Sequence, residues 1–218
     1  MDNSDKLFQA IMKGDGMAVA GLLQQQAELA NARTPSGVQA VLFCLYYGQP
    51  RVAALFLDYG CQPDVFSCAA LGLAGHLQSL LEQDAAVANA VAADGFSPLG
   101  LASFFGQPEA AQLLIERGAR VNQASHNPQK VMPLHSAAAG QHLEVAKLLL
   151  EAGAEVDAVQ EGGFTPLMSA AQNGQVEMMS LLLDHGADRT KQTPDGRSAY
   201  SFADGHINPA VAALFFKR

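Results

Sequence analysis

Charge is scarce in this chain. Only 16% of its 218 residues are Asp, Glu, Lys or Arg, against roughly 25% in an average soluble domain. Basic residues are the scarcer kind, with 13 Lys and Arg against 21 Asp and Glu and a formal net charge of −8. They are scattered, so no basic stripe exists for a phosphate backbone or an anionic lipid surface. Neither nucleic acid nor a membrane is an expected partner. The three cysteines, Cys44, Cys61 and Cys68, are too few and odd in number for a disulfide framework. That usage fits a reducing, cytoplasmic setting. The opening Met1-Asp2-Asn3-Ser4-Asp5 has no positive stretch leading into an apolar one, so no signal peptide is expected. No run of about 20 apolar residues is present to span a bilayer. What the chain does have is apolar content, 49% of residues, enough for a large core and too much for disorder. High apolar content with little charge suits long interfaces between stacked units.

Repetition decides the architecture. Met132-Pro133-Leu134-His135-Ser136-Ala137-Ala138 is followed by Leu148-Leu149-Leu150 and Gly153-Ala154. Thr165-Pro166-Leu167-Met168-Ser169-Ala170-Ala171, Leu181-Leu182-Leu183 and Gly186-Ala187 repeat that pattern at a constant shift of 33. Ser97-Pro98-Leu99-Gly100-Leu101-Ala102 opens another copy, closed by Leu113-Leu114-Ile115 and Gly118-Ala119. Weaker copies extend both ways. A small residue stands four places before each interhelix turn, at Ala10, Cys44, Cys68, Ala102, Ala137, Ala170 and Ala203. The turns fall at Gly14, Gly48, Gly72, Gly106, Gln141, Gly174 and Ile207. Gln and Ile depart from glycine there and are expected to take right-handed turn geometry.

The N-terminal part carries a second periodicity. Residues 4–64 recur at 62–122 with a shift of 58: Tyr46-Tyr47-Gly48-Gln49-Pro50 matches Phe104-Phe105-Gly106-Gln107-Pro108. A pair of units has been duplicated, and it is eight residues short of two periods of ~33. The loss falls where Asp64 runs straight into Val65-Phe66-Ser67-Cys68. The third unit should therefore lack a projecting hairpin.

These runs resemble the ankyrin repeat family, as in bacterial-type ankyrin repeat proteins, with its Thr-Pro-Leu-His-x-Ala-Ala opening and Leu-Leu-Leu-x-x-Gly-Ala close. The resemblance covers nearly the whole chain and is weakest over residues 1–90. It implies an all-α solenoid of about seven helix-turn-helix repeats with short projecting β-hairpin loops. One domain, 1–218, is expected, with repeats at about 4–34, 35–64, 65–93, 94–122, 123–160, 161–193 and 194–218. The residue chemistry agrees. Pro98, Pro133 and Pro166 suit a first helical position. Ser97 and Thr165 are placed as N-caps, and Gly60, Gly118, Gly153 and Gly186 as left-handed helix ends. Asp94-Gly95, Gly162-Gly163 and Asp195-Gly196 mark hairpin turns. Polar residues Asp2, Asn3, Asp5 and Lys6 face one end; Phe215, Phe216, Lys217 and Arg218 close the other.

The resemblance also implies protein binding on a concave face of hairpin tips and first helices. Its variable positions fall at Val38, Phe96, Val131, Phe164 and Arg197. They continue at Tyr46, Tyr47, Phe104, Phe105, Ala139, Gly140, Gln172, Asn173, Gly205 and His206. Six of the 15 Phe and Tyr residues lie on these positions. A groove of Tyr46, Tyr47, Phe96, Phe104, Phe105 and Phe164 would anchor an apolar or helical segment of a protein partner. The alternative is that Tyr46-Tyr47 and Phe104-Phe105 fold over to fill the gap left by the missing hairpin. The expected function is a non-catalytic scaffold, adaptor or stoichiometric regulator, monomeric and without a cofactor. A small-ligand or enzymatic pocket and a self-associating subunit are the rival readings.

Other chemistry-bearing residues favour structural roles. The six histidines, His76, His126, His135, His142, His185 and His206, show no zinc-type spacing. His135 occupies the family's structural position, where the resemblance implies bonding within the hairpin and helix start. Cys44 and Cys68 occupy the small-residue position and are expected in the core. The longer fifth loop, Ser125-His126-Asn127-Pro128-Gln129-Lys130, is expected to be an exposed tip tolerant of length change. Ser67 and Ser103 have no nucleophile elbow, and Gly72-Leu73-Ala74-Gly75 has no phosphate-loop context.

Overall fold

Short helices begin here because prolines and hydroxyls prepare their first turns. In the computed structural model, which describes residues 2–203 and 209–216, Pro98, Pro133 and Pro166 occupy first-turn positions of their helices. Ser97 accepts the Gly100 N–H and Thr165 the Met168 N–H. Gly60, Gly118, Gly153 and Gly186 close second helices at φ of 80 to 89°. A left-handed residue there satisfies the last carbonyls and turns the chain away.

Fourteen α-helices result among the described residues, in consecutive pairs. They are α1 (Asn3–Lys13) and α2 (Gly16–Gln25), α3 (Ala40–Tyr46) and α4 (Pro50–Asp58), α5 (Val65–Leu71) and α6 (Ala74–Gln83), and α7 (Pro98–Phe104) and α8 (Pro108–Glu116). Then come α9 (Pro133–Ala139) and α10 (Leu143–Glu151), α11 (Pro166–Gln172) and α12 (Val176–Asp184), and α13 (Ala199–Phe202) and α14 (Pro209–Phe216). First helices stack on first helices and second on second, except at the junction of α4 and α6, giving two layers. No regular strand forms among the described residues. The hairpins are turns with two isolated bridges, Arg33 to Gln39 and Gln192 to Ser198. The turn at Ile207, the variable positions Gly205 and His206, the Phe216 side chain, Lys217 and Arg218 lie outside the described residues.

The duplication is visible in three dimensions. α2, α3 and α4 coincide with α6, α7 and α8 at the 58-residue shift, as do 3₁₀ turns at Ala27–Asn31 and Ala85–Asn89. A ladder of side-chain bonds then ties unit to unit. Asn31, Asn89, Asn122 and Asp157 accept the backbone N–H groups of Gln62, Arg120, Glu155 and Asp188 at 2.8 to 3.0 Å.

Between α4 and α5 lie only residues 59–64, so the third unit has no hairpin. Hairpins two and four consequently meet: a Cβ on Gly37 would lie 3.7 Å from that of Ala93. Gln39 fills the place beneath them. Its amide donates to the Gln62 carbonyl at 3.0 Å and accepts from Asp64 N–H and the Ser67 hydroxyl at 2.9 and 2.7 Å. The apolar core changes hands at the same place. One cluster runs from Leu7 to Cys61 and another from Val65 to Phe215, with Leu42, Ala70 and Leu101 forming a small separate knot.

Three expectations are corrected. Gln141 is left-handed, at φ 64°, because the chain reversal between α9 and α10 needs the geometry that glycine supplies in the other turns. The His135 ring reaches the next repeat rather than its own hairpin, placing Nε2 3.1 Å from the Phe164 carbonyl. The fifth loop is engaged as well as exposed: His126 N–H donates to the Gly95 carbonyl at 2.8 Å and Asn127 Nδ2 to the Asp94 carbonyl at 3.0 Å. Its added length lets it dock on the fourth hairpin.

Candidate functional site

The first-helix layer carries the aromatic residues, and helical spacing sorts them. On α3, Ala40, Val41 and Cys44 turn into the core, leaving Phe43 and Tyr47 one turn apart on the side of α1. Their rings are 4.7 Å apart, and Phe43 also meets Phe8 of α1 edge-on at 5.3 Å. Tyr46 points the other way, across the short α5, and stacks on Phe105 at 5.9 Å. Phe105 meets Phe104 edge-on at 5.1 Å. The Tyr46 hydroxyl donates to the Asp94 carboxylate in the turn of hairpin four. Burial, with that carboxylate on the hydroxyl, holds the Tyr46 phenol well above its ordinary value.

The structure thus brings Tyr46, Tyr47, Phe104 and Phe105 into one row, but their surroundings differ. Tyr47 and Phe104 are 44% and 45% exposed, and Tyr46 38%. Phe105 and Phe96 are half-buried against Leu42, Ala70 and Leu101. That knot covers the small residues of α5 where the third hairpin is missing. Phe164 stands apart, half-buried against the main core with its ring 4.7 Å from Phe202. Arg197 in turn lies over the Phe202 ring at 4.5 Å.

The row continues past the residues singled out by repeat position. Phe8, Met12 and Phe43 line an open groove of about 450 Å³ between α1 and the Thr34-Pro35-Ser36 hairpin tip. Met12 is 45% exposed. Its signal was present in the sequence, because it stands two places before Gly14 as Tyr46 stands before Gly48. Phe8 and Phe43 lie a turn earlier, where the repeat pattern assigns no variable position.

The backbone beneath the row is pinned from neighbouring turns. His142 Nε2 donates to the Phe104 carbonyl at 2.9 Å. A Cβ on Gly106 or Gly140 would collide with that ring at 2.2 and 2.5 Å, so both positions must be bare. Gln107 Nε2 donates to the Ala70 carbonyl at 3.2 Å. No group of three or more His, Cys, Asp or Glu residues is placed to hold a metal among the described residues. All three thiols are free and buried, and burial pushes Cys44 and Cys68 up to about 12 and Cys61 up to about 11. High thiol pKa values deny them thiolate character near neutral pH. No helix of the described residues is long and apolar enough to cross a membrane.

A two-layered stack of helix pairs is a repeat solenoid, here with an aromatic first-helix face. Comparison with known proteins gives its family. The profile of the ankyrin repeats, described as three copies, matches residues 66–160 and 121–193, more than half of the chain. The chain belongs to the ankyrin repeat family. It is 32% identical to human neurogenic locus notch homolog protein 4 over 145 residues, 66% of this chain and 7% of that protein. It is 44% identical to a putative ankyrin repeat protein of Rickettsia felis over 71 residues, 33% of this chain and 30% of that one. Over 62 residues it is 45% identical to ankyrin repeat and SAM domain-containing protein 6 of Danio rerio, 28% of this chain and 8% of that protein. The chain spans less than a third of the length of each. Ankyrin repeats are generally protein–protein interaction modules.

Proposed function

We propose that residues 1–218 form one ankyrin array that works as a non-catalytic scaffold, adaptor or stoichiometric regulator. It binds a protein partner on its first-helix face. The observation that carries this reading is the exposed aromatic row, with Tyr47, Phe104 and Tyr46 at its crest and the Phe8–Met12–Phe43 groove at its end. Aromatic side chains bury much area at small entropic cost and dominate interface energetics. They stand on helices held by neighbour-to-neighbour bonds, so the surface is formed before binding and little ordering cost falls on association. Phe105 and Phe96 support the row from below; Phe164 has a core role beside Phe202.

The test is affinity capture with quantitative mass spectrometry, comparing wild type with the Tyr47→Ala, Phe104→Ala double variant. These two rings are the most exposed of the row, so the variant should unfold at the same denaturant concentration as wild type. A partner held by wild type and lost by the variant supports the reading. Equal retention of every partner overturns it.

A further inference from the structure

We propose that a second surface, the groove between α8 and α10 in the second-helix layer, docks a basic amphipathic helix of a partner protein. The groove encloses about 330 Å³. Its floor is Pro108, Leu113 and Leu148, and its rim is Glu109, Glu116 and Glu144, with Gln112 between. It lies in the other layer from the aromatic row, so it stands independently of the first-helix reading.

Three features specify the occupant. First, the floor is apolar and accessible. Leu148 is half-buried yet belongs to none of the apolar core clusters, unlike its neighbours Leu149 and Leu150. Second, the rim is of one sign and unneutralised. Among the described residues none of the three carboxylates has an ion-pair partner; Arg117, just past the end of α8, is turned to Glu82 of the preceding repeat at 3.6 Å. Among the described residues Glu116 accepts only from the neutral Gln112 amide, at 2.6 Å. Third, helix stability does not account for the set. Glu109 and Glu144 lie in first turns, where a carboxylate complements the helix dipole, but Glu116 is the last residue of α8, where it opposes the dipole.

The spacing defines the ligand. Glu109 and Glu116 are two turns apart on one face of α8, about 10 Å along the axis, and Glu144 stands in the first turn of α10, across from Glu109's end. A helix laid along the groove meets them with Lys or Arg at i and i+7 and places apolar side chains at i+3 and i+4 over Leu113 and Leu148. Apolar contact supplies affinity, and the carboxylates select for basic over acidic helices.

A fluorescent synthetic helical peptide with Lys at i and i+7 and Leu at i+3 and i+4 provides the test, titrated by anisotropy against the full chain. Saturable binding that weakens with salt is expected. The triple variant Glu109→Gln, Glu116→Gln, Glu144→Gln should lose about tenfold in affinity, the worth of two exposed lysines each losing its carboxylate partners. Leu148→Ala should weaken binding while leaving the fold intact, which keeps the proposal testable if the triple variant is unstable. Tyr47→Ala, Phe104→Ala should bind the peptide as wild type does. The proposal is overturned by absence of saturable binding, or by equal binding of a peptide with Glu in place of Lys or Ala in place of Leu. Unchanged affinity in Leu148→Ala overturns it too, as does sedimentation showing that a second copy of this chain fills the groove.

Discussion

At the scale of single residues, His135 shows how a repeat position becomes a bond between repeats. The ring is 1% exposed, and its Nε2–H reaches the Phe164 carbonyl of the next hairpin. Burial lowers its pKa, with the carbonyl partly opposing. The sign of the consequence follows from linkage. The unfolded chain takes up a proton near the ordinary value of about 6.5, and the folded protein only at lower pH. The stability that neutral His135 contributes is fully present above the unfolded value and is lost as pH falls below it. His135→Gln keeps an N–H donor but does not titrate. Urea unfolding between pH 7.5 and 5 should therefore show a steeper loss of stability in wild type than in His135→Gln. Parallel curves would show that the ring is not held neutral by the fold. The residue type and its place in the repeat were legible in the sequence; its partner, 29 residues away, was not, because a one-dimensional pattern does not say which repeat a side chain faces.

At the scale of elements, the helices were the legible part. Proline, hydroxyl and glycine at fixed offsets are local signals, and each pair formed where they stand. Even the absent third hairpin was readable, as eight missing residues. Replacement interactions were not. Gln39 stands opposite Ser97 in the duplicated pair, and only the empty space beneath hairpins two and four explains why a longer side chain is used there. The aromatic row was half legible: repeat position found Tyr47 and Phe104, but grouped Phe164 with them because the same positional rule ignores Phe202 beside it. The fifth loop is a similar case, since exposure by composition concealed docking on hairpin four. That docking is measurable. Gly95 and Gly118 both have left-handed φ, 89° and 83°, but a Cβ on Gly95 would stand 2.8 Å from Asn127 N whereas one on Gly118 meets nothing within 4 Å. Gly118→Ala should cost about 1 kcal/mol for conformation alone. Gly95→Ala should cost about 2 to 3 kcal/mol, adding the displaced loop. Equal costs by denaturant unfolding would mean that the loop moves aside freely.

At the scale of the whole molecule, stability in a repeat array is a sum of unit and neighbour terms, so its weakest interface decides where it opens first. That interface is between the second and third repeats. The apolar core changes cluster between Cys61 and Val65, and no hairpin of the third repeat adds backbone contacts there. What crosses is a small apolar contact, the Leu42–Ala70–Leu101 knot with the Tyr46–Phe105 stack, and one buried polar link, the Ser67 hydroxyl on Gln39 at 2.7 Å, with Gln39 itself braced by Gln62 and Asp64. The Arg33–Asp64 ion pair ties the first repeat to the second, which leaves buried Gln39 as the main polar link to the third. Removing it strands the Ser67 hydroxyl and two backbone groups away from their partner, a larger penalty than the bonds themselves contribute. Native-state hydrogen exchange should then divide the chain into two cooperative units. Amides of α1–α4 should exchange before those of α7–α12, with the boundary at residues 59–64. Gln39→Ala should raise exchange across α1–α4 and leave α9–α12 unchanged. Uniform acceleration across all of these helices would instead show that the array unfolds as one unit, and that the Leu42–Ala70–Leu101 knot and the aromatic stack suffice to couple its two cores.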